Sequence, residues 1–161
     1  MEYSIEFYNC HDYTLKLVKE CEELAYSLHV DNGGTLRRTG LVAKGSDGLL
    51  CAIDDNGKII GFIALNIDRF EINDLYIRQI AVAKEYMRQG IASNMINYVI
   101  DNLKSNFEFL TAEVRKDNVA SNGFFASLGF HKISKKNSKS DLYLRSISRE
   151  EEKQIQTIVK K

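Results

Sequence analysis

The run Ile80-Ala81-Val82-Ala83-Lys84-Glu85-Tyr86-Met87-Arg88-Gln89-Gly90-Ile91-Ala92-Ser93 changes character twice. It begins as an apolar strand, breaks into a short polar loop and restarts as a helix. The first turn of a helix carries backbone N–H groups with no intrahelical partner, and the macrodipole adds a partial positive charge at the same end. Donors converging in this way bind anions, phosphate above all. Gly90 and Ala92 leave the backbone uncovered, so a bulky diphosphate can approach it closely. The chemistry predicted here is capture of a nucleotide-like cofactor through the main chain. Further polar and aromatic groups follow in chain order: Glu113 on the next apolar run, then Asn118, Phe125 and Gly129-Phe130.

These residues need a frame, and the patterning predicts one. Tyr3 to Tyr8 reads as a strand. Asp12 reads as the N-cap of a helix carrying Leu15, Val18, Cys21, Leu24, Ala25 and Leu28 at helical spacing. Periodicity is lost from His29 to Gly48, which reads as loop with at most a short helix. Leu49 to Ile53 and Lys58 to Ile67 are β-rich runs joined by Asp54-Asp55-Asn56-Gly57, a strong hairpin signal. Asp74 to Val82 is the next strand, followed by a helix with Ala92, Met95, Ile96, Val99, Ile100 and Leu103 on one face. Phe107 to Val114 is a strand, and Asn118 to Leu128 a short helix closed by Gly129 at C′. Phe130 to Ser134 and Leu142 to Ile147 close the sheet, and Ser148 onward reads as a weakly amphipathic helix. The order β-α-β-β-β-α-β-α-β-β predicts an α/β domain over residues 1–148, one mixed sheet with helices on its faces, and a helical extension over 149–161.

At 161 residues the chain can bury one sizeable core but not two. Its 44% apolar and 27% charged residues are ordinary for a globular protein. Lys+Arg and Asp+Glu balance at 22 each, which removes any global pull toward nucleic acid or an anionic membrane. No apolar run approaches the roughly 18 residues of a membrane helix, and Met1-Glu2-Tyr3-Ser4 does not begin like a signal peptide. A cytoplasmic location is expected. Cys10, Cys21 and Cys51 have neither paired nor zinc-like spacing and read as reduced, mostly buried apolar residues. A G-x-G-x-x-G dinucleotide fingerprint is absent, which argues against a Rossmann dehydrogenase.

Two segments carry a family resemblance. Met87-Arg88-Gln89-Gly90-Ile91-Ala92 matches the pattern Arg/Gln-x-x-Gly-x-Gly/Ala at every fixed position but the first. Asn118-Val-Ala-Ser-Asn-Gly-Phe-Phe-Ala-Ser-Leu-Gly-Phe130 fills a second, in which an Asn precedes a small-residue helix ending in an aromatic and Leu-Gly-Phe. In this order the chain resembles, over residues 3–147, the GNAT superfamily of acetyl-CoA-dependent N-acetyltransferases. The resemblance implies the GNAT fold, an α+β arrangement of a mixed, mostly antiparallel sheet of six to seven strands flanked by helices. It implies acetyl-CoA as cosubstrate, its diphosphate held by the amides of Arg88, Gln89, Gly90, Ile91, Ala92 and Ser93. Ile80, Ala81 and Val82 would pair with the pantetheine arm like an added strand. Asn118 would hydrogen-bond that arm, and Phe125 would lie along its thioester end. No metal is implied, because a thioester is already activated and amide donors can polarise its carbonyl.

The same comparison casts Glu113 as general base, as in the GNAT branch that acetylates protein N-termini. An ammonium must lose a proton before it can attack a thioester. The plain alternative pairs Glu113 with Arg115, two residues on and on the same strand face. Asn118 has an alternative as well, since it is an ideal helix N-cap. The side chains of Arg88 and Gln89 read as solvated, with the backbone as the binding element. Met87 stands where the family has Arg or Gln. Phe125 stands where it commonly has a Tyr that protonates the departing thiolate, which leaves that task to another group such as Tyr143 or water, or to no dedicated acid at all. Arg37, Arg38, Lys44, Lys132, Lys135, Lys136 and Lys139 read as a basic rim that is solvated, steers an anionic acceptor or, for the lysines, meets the phosphates of CoA. The predicted reaction is acetyl transfer to a primary amine by direct attack in a ternary complex. The alternative is a CoA-binding module with little turnover. A second alternative is a structural or interaction protein whose helix Glu150 to Lys161 docks on a partner or a second copy, which leaves a homodimer open.

Overall fold

The computed structural model describes residues 2–31 and 45–147. Its strands are β1 (Tyr3–Asn9), β2 (Gly48–Asp54), β3 (Ile59–Ile67), β4 (Asp74–Val82), β5 (Phe109–Arg115), β6 (His131–Ile133) and β7 (Ser140–Ser146). Among the described residues these seven form one sheet in the order β1-β2-β3-β4-β5-β7-β6. The pairs β1–β2, β2–β3, β5–β7 and β6–β7 are antiparallel, and β4–β5 is parallel. The helices are α1 (Leu15–Asp31), α2 (Ile91–Leu103) and α3 (Val119–Ser127). The mixed, mostly antiparallel sheet is the one predicted. The predicted C-terminal helix and Arg37, Arg38 and Lys44 lie outside the described residues. No helix among the described residues is long and apolar enough to cross a membrane.

Two compact units divide these elements, the first built from residues 2–31, 45–66 and 78–99, the second from 67–77 and 100–147. In the first unit, β2 and β3 are near-continuous apolar runs buried along most of their length, whereas the edge strand β1 alternates with polar residues. Their turn follows from its sequence. The Asp54 carboxylate accepts from the amides of Asn56 and Lys58, both at 2.9 Å, and Gly57 takes φ +79°, open to glycine without strain.

Helix α1 corrects two expectations. Asp12 does not cap it but lies in a 3-10 turn, Cys10–Asp12. Thr14 is the cap instead, its Oγ1 accepting from the Leu17 amide at 3.1 Å. The buried stripe is Leu17, Cys21 and Ala25, while Leu15 is 92% exposed. Val18, Leu24 and Leu28 pack partly against that stripe. Cys21 and Cys51 are fully buried free thiols with Sγ atoms 4.0 Å apart. Their mutual hydrogen bond, followed by burial, pushes the Cys21 thiol far above its ordinary value. Both behave as the apolar residues expected, whereas Cys10 is only partly buried.

The second unit centres on β5, flanked by β7 on one side and by the start of β4 on the other. The β4–β5 ladder runs from Asp74↔Phe109 to Ile77↔Ala112 and ends there. Asp74 is fully buried in it, and a buried carboxylate needs partners. Thr111 Oγ1 donates to Asp74 Oδ2 at 2.7 Å, and the Phe70 amide donates to Oδ1 at 3.0 Å. Asn118 caps α3 by accepting the Ser121 amide at 3.1 Å, and Gly129 ends it at φ +82°.

Candidate active site

The first unit holds the predicted anion cradle. Strand β4 ends at Val82, and the Ala83 amide ties the chain back to the Ile60 carbonyl at 2.8 Å. A 3-10 turn, Lys84–Tyr86, then leads to an exposed loop, Met87–Gly90, in which Arg88 takes φ +65° and Gly90 φ +80°. The first bond of α2 runs from the Asn94 amide to the Gly90 carbonyl at 2.9 Å. Gly90 therefore occupies the N-cap position without a side chain to cap it, and the amides of Ile91, Ala92 and Ser93 precede the first intrahelical bond. A Cβ built on Gly90 meets no atom within 4 Å, so the space it would enter is open. These features fit the diphosphate of a CoA-type molecule: orphan donors, the positive end of a dipole and an uncovered approach.

The cradle is firmly mounted. Met95, Ile96 and Val99 of α2 are fully buried, and Asn94 Nδ2 donates to the Tyr3 hydroxyl at 2.5 Å. Gly61 of β3 permits the close approach this requires. A Cβ there would lie 3.1 Å from the Ala81 carbonyl oxygen and 3.2 Å from Met95 Cε. Ala81 is buried, and its neighbours Ile80 and Val82 are half-buried. A separate cleft of about 180 Å³ in this unit, lined by Tyr8, Leu17, Glu20 and Ile53 among others, contains no residue of the predicted site.

The second unit holds Glu113, on β5 beyond the end of the β4–β5 ladder and one-quarter exposed. Arg115 is not its partner. That guanidinium turns to Asp117 instead, with Nε 3.3 Å from Oδ1. Two other cations hold Glu113: Lys135 Nζ lies 3.3 Å from Oε2, and Arg69 Nη2 lies 3.8 Å from Oε1. Both also lie over the Phe70 ring, at 5.4 Å for Arg69 and 5.6 Å for Lys135, and Arg69 lies 5.9 Å from the Tyr76 ring. Phe70 and Tyr76 meet edge to face at 5.8 Å.

Bonds from backbone amides to aspartates shape the two loops that carry these cations. Arg69 and Phe70 sit in a loop whose Asp68, Glu71 and Asn73 take positive φ, pinned by the Asp74 bonds and by the Asn73 amide donating to Asp68 Oδ1 at 3.0 Å. The Lys135 amide donates to Asp141 Oδ1 at 3.2 Å, and its carbonyl accepts from Lys116 Nζ at 2.7 Å. Asp141 is 2% exposed and faces the ammoniums of Lys132 at 3.5 Å and Lys116 at 3.7 Å. Burial alone would raise its carboxyl, but the Lys135 amide and the two ammoniums outweigh burial and hold it below the usual carboxylate range.

The remaining predicted residues are structurally committed as well. Asn118 Oδ1 accepts the α3 cap bond, and its side-chain amide also carries two N–H donors. Phe125 is 4% exposed, its ring packed edge to face on Phe124 and Phe130 and tilted against Tyr143. The Tyr143 hydroxyl, buried, donates to Asn122 Oδ1 at 2.6 Å. Arg69 and Phe70 escaped the sequence reading because their loop has no apolar period. Its signal was Asp68 and Asn73, residue types that tolerate positive φ and so mark a shaped loop rather than a slack one.

Residues 16–130 match the family described as acetyltransferase (GNAT) family. A curated relative, the [ribosomal protein bS18]-alanine N-acetyltransferase of Escherichia coli (strain K12), is 32% identical over 80 residues, covering 49% of this chain and 52% of that protein. The chain thus spans about half the length of the curated relatives it matches. Among solved structures, a GNAT-family acetyltransferase from Staphylococcus aureus Mu50 superposes with TM-score 0.71 at 16% identity, covering 90% of this chain and all of that one. N-acetylglutamate synthase from Neisseria gonorrhoeae, solved with coenzyme A and N-acetylglutamate, superposes with TM-score 0.67 at 16% identity, over 92% of this chain and 36% of that one. Both superpositions establish a shared fold.

Proposed function

The chain belongs to the GNAT acetyltransferase family, and on that premise we propose that it transfers the acetyl group of acetyl-CoA to a primary amine. The observation that carries this reading is the uncapped start of α2 after the positive-φ pair Arg88 and Gly90. The amides from Arg88 to Ser93 hold the diphosphate, and the main chain of Ile80 to Val82 takes the pantetheine arm as an added strand. The Asn118 amide donors assist that arm, and Phe125 backs the thioester end with apolar surface. Acetyl-CoA supplies an activated thioester. Glu113 takes the proton from the acceptor ammonium and leaves a neutral amine to attack the carbonyl directly.

The reading covers a single acetyltransferase domain over residues 1–148, supported by the family match at 16–130. It includes a cytoplasmic location, which the buried free thiols Cys21 and Cys51 suit. The second reading, CoA binding without turnover, draws on the missing hydroxyl at Phe125 and on the engagement of Tyr143 with Asn122. A thiol leaving group of ordinary pKa about 8.5 departs near neutrality without a strong acid, which favours the enzyme. Free-thiol release from acetyl-CoA, screened over peptide N-termini, lysine side chains, polyamines, amino sugars and amino acids, separates the two. Thiol release dependent on one amine class supports the transferase. CoA binding without release across every class supports the binding module.

A further inference from the structure

We propose that the acceptor amine carries an anionic group a few bonds away, and that Arg69 and Lys135 bind that group. The inference rests on the acetyl-transfer reading above and names its substrate class. Each oxygen of Glu113 faces a different cation, Arg69 at 3.8 Å and Lys135 at 3.3 Å. Both cations also share the Phe70 ring. One carboxylate between two cations leaves this cluster with a net positive charge. A bare alkylammonium approaching Glu113 meets repulsion from both neighbours and has nothing to give them in return. An ammonium joined to a carboxylate avoids this by exchanging partners: its anion takes Arg69 and Lys135, and Glu113 turns to its ammonium. The net charge is unchanged in that exchange, and every cation still faces a carboxylate, with Arg69 and Lys135 sharing one.

The geometry suits such an exchange. Both cations lie within 4 Å of Glu113, so an anion held by them sits a few bonds from an ammonium that touches Glu113. Arg69 is 56% exposed along its side chain and Lys135 37%, so an incoming anion reaches both. The Phe70 amide beside Arg69 is bonded to Asp74 and the Lys135 amide to Asp141, so the main chain from which each side chain projects is set before a ligand arrives. A guanidinium offers a planar fork matched to a carboxylate, and the ammonium adds a point charge beside it. The anion could be the α-carboxylate of a free amino acid or an acidic side chain near a peptide N-terminus.

Two probe pairs distinguish those sources: L-alanine against L-alaninamide, and an Ala-Asp peptide amide against its Ala-Asn counterpart. The expected result is a kcat/KM about 10- to 100-fold higher for the anionic member of one pair, the size of a charge-assisted contact. In Arg69→Ala/Lys135→Ala that ratio should collapse to within about threefold, chiefly through KM, whereas Arg69→Lys should keep part of it. Turnover with ratios near one in both pairs overturns this proposal and leaves acetyl transfer standing. Absence of turnover with any amine overturns the transferase reading. In that case NMR shifts of the Phe70 and Tyr76 rings decide this site. A response to the anionic probes alone supports it, and no response, or an equal response to the neutral ones, overturns it.

Discussion

Replacing Glu113 by Gln tests the proton step with little steric change. The amide keeps the shape of the carboxylate but accepts no proton from an ammonium. General-base assistance contributes at least about 10²-fold, or about 2.7 kcal/mol at 1.36 kcal/mol per tenfold. The competing effect is structural, the loss of the ion pairs to Arg69 and Lys135. Those cations are 56% and 37% exposed, so solvent screening leaves each pair about 0–1 kcal/mol. A loss of that size lies well inside the usual folding margin of about 5–15 kcal/mol, and the variant stays folded. Glu113→Gln should therefore lower kcat by about 10²-fold or more, with the denaturation midpoint little changed and CoA affinity, by calorimetry, intact. The deficit should also depend on pH in a definite direction. An α-amine has an ordinary pKa of about 7.7–8.0, so below that range the base must remove a proton and above it the nucleophile arrives neutral. The ratio of native to variant kcat/KM should be largest near pH 6.5 and shrink toward pH 9. An unchanged kcat, or a deficit that does not vary with pH, removes Glu113 from the proton path.

Gly90→Val imposes a β-branched residue at φ +80° and places its side chain before the α2 amides; we expect about 1–2 kcal/mol of strain and at least tenfold weaker CoA binding by calorimetry. Undiminished binding would show that the main chain there does not hold the diphosphate. Thr111→Val removes a donor from the buried Asp74 carboxylate and should cost about 1–3 kcal/mol in urea unfolding, whereas a neutral result would mean that Asp74 finds another partner. Asp141 has a folded-state pKa below its unfolded one, so its contribution is complete above the ordinary carboxylate range and is lost as pH falls through the folded value. Denaturation midpoints between pH 7 and pH 3 should accordingly fall less steeply for Asp141→Asn; parallel acid limbs would contradict this. Tyr143→Phe breaks the bond to Asn122 and should cost about 1 kcal/mol of stability while changing turnover less than about threefold. A tenfold loss of turnover would instead make Tyr143 the proton donor to the thiolate.

What could be read in the sequence was whatever a local rule decides. The Asp54–Gly57 hairpin follows from a turn that needs a side-chain acceptor first and a positive φ last, and only a few residue types supply these. The start of α2 is legible for a similar reason, since the apolar period switches from strand to helix across one glycine. The start of α1 was misplaced because Asp12 and Thr14 are both good caps, and propensity cannot rank two of them two residues apart. The core stripe differs from the expected one as well, for a separate reason. Leu15 and Leu17 lie about 200° apart around the helix, so only one of them can face the core, and packing decides that it is Leu17.

The charges around Glu113 obey no local rule. Strand alternation put Arg115 on its face and so offered a partner, but Asp117 lies equally near in the chain, and the long guanidinium turns to it instead. The cations that do reach Glu113 arrive from the 68–73 loop and the β6–β7 connection, through bonds to two buried aspartates. Burying Asp74 and Asp141 is costly in itself, and each is stabilised by donors that also fix the loop beside Glu113. The same two carboxylates that hold this unit together thus set where Arg69 and Lys135 stand. A change at either buried aspartate should act on the acceptor site through those loops, without either aspartate touching the substrate.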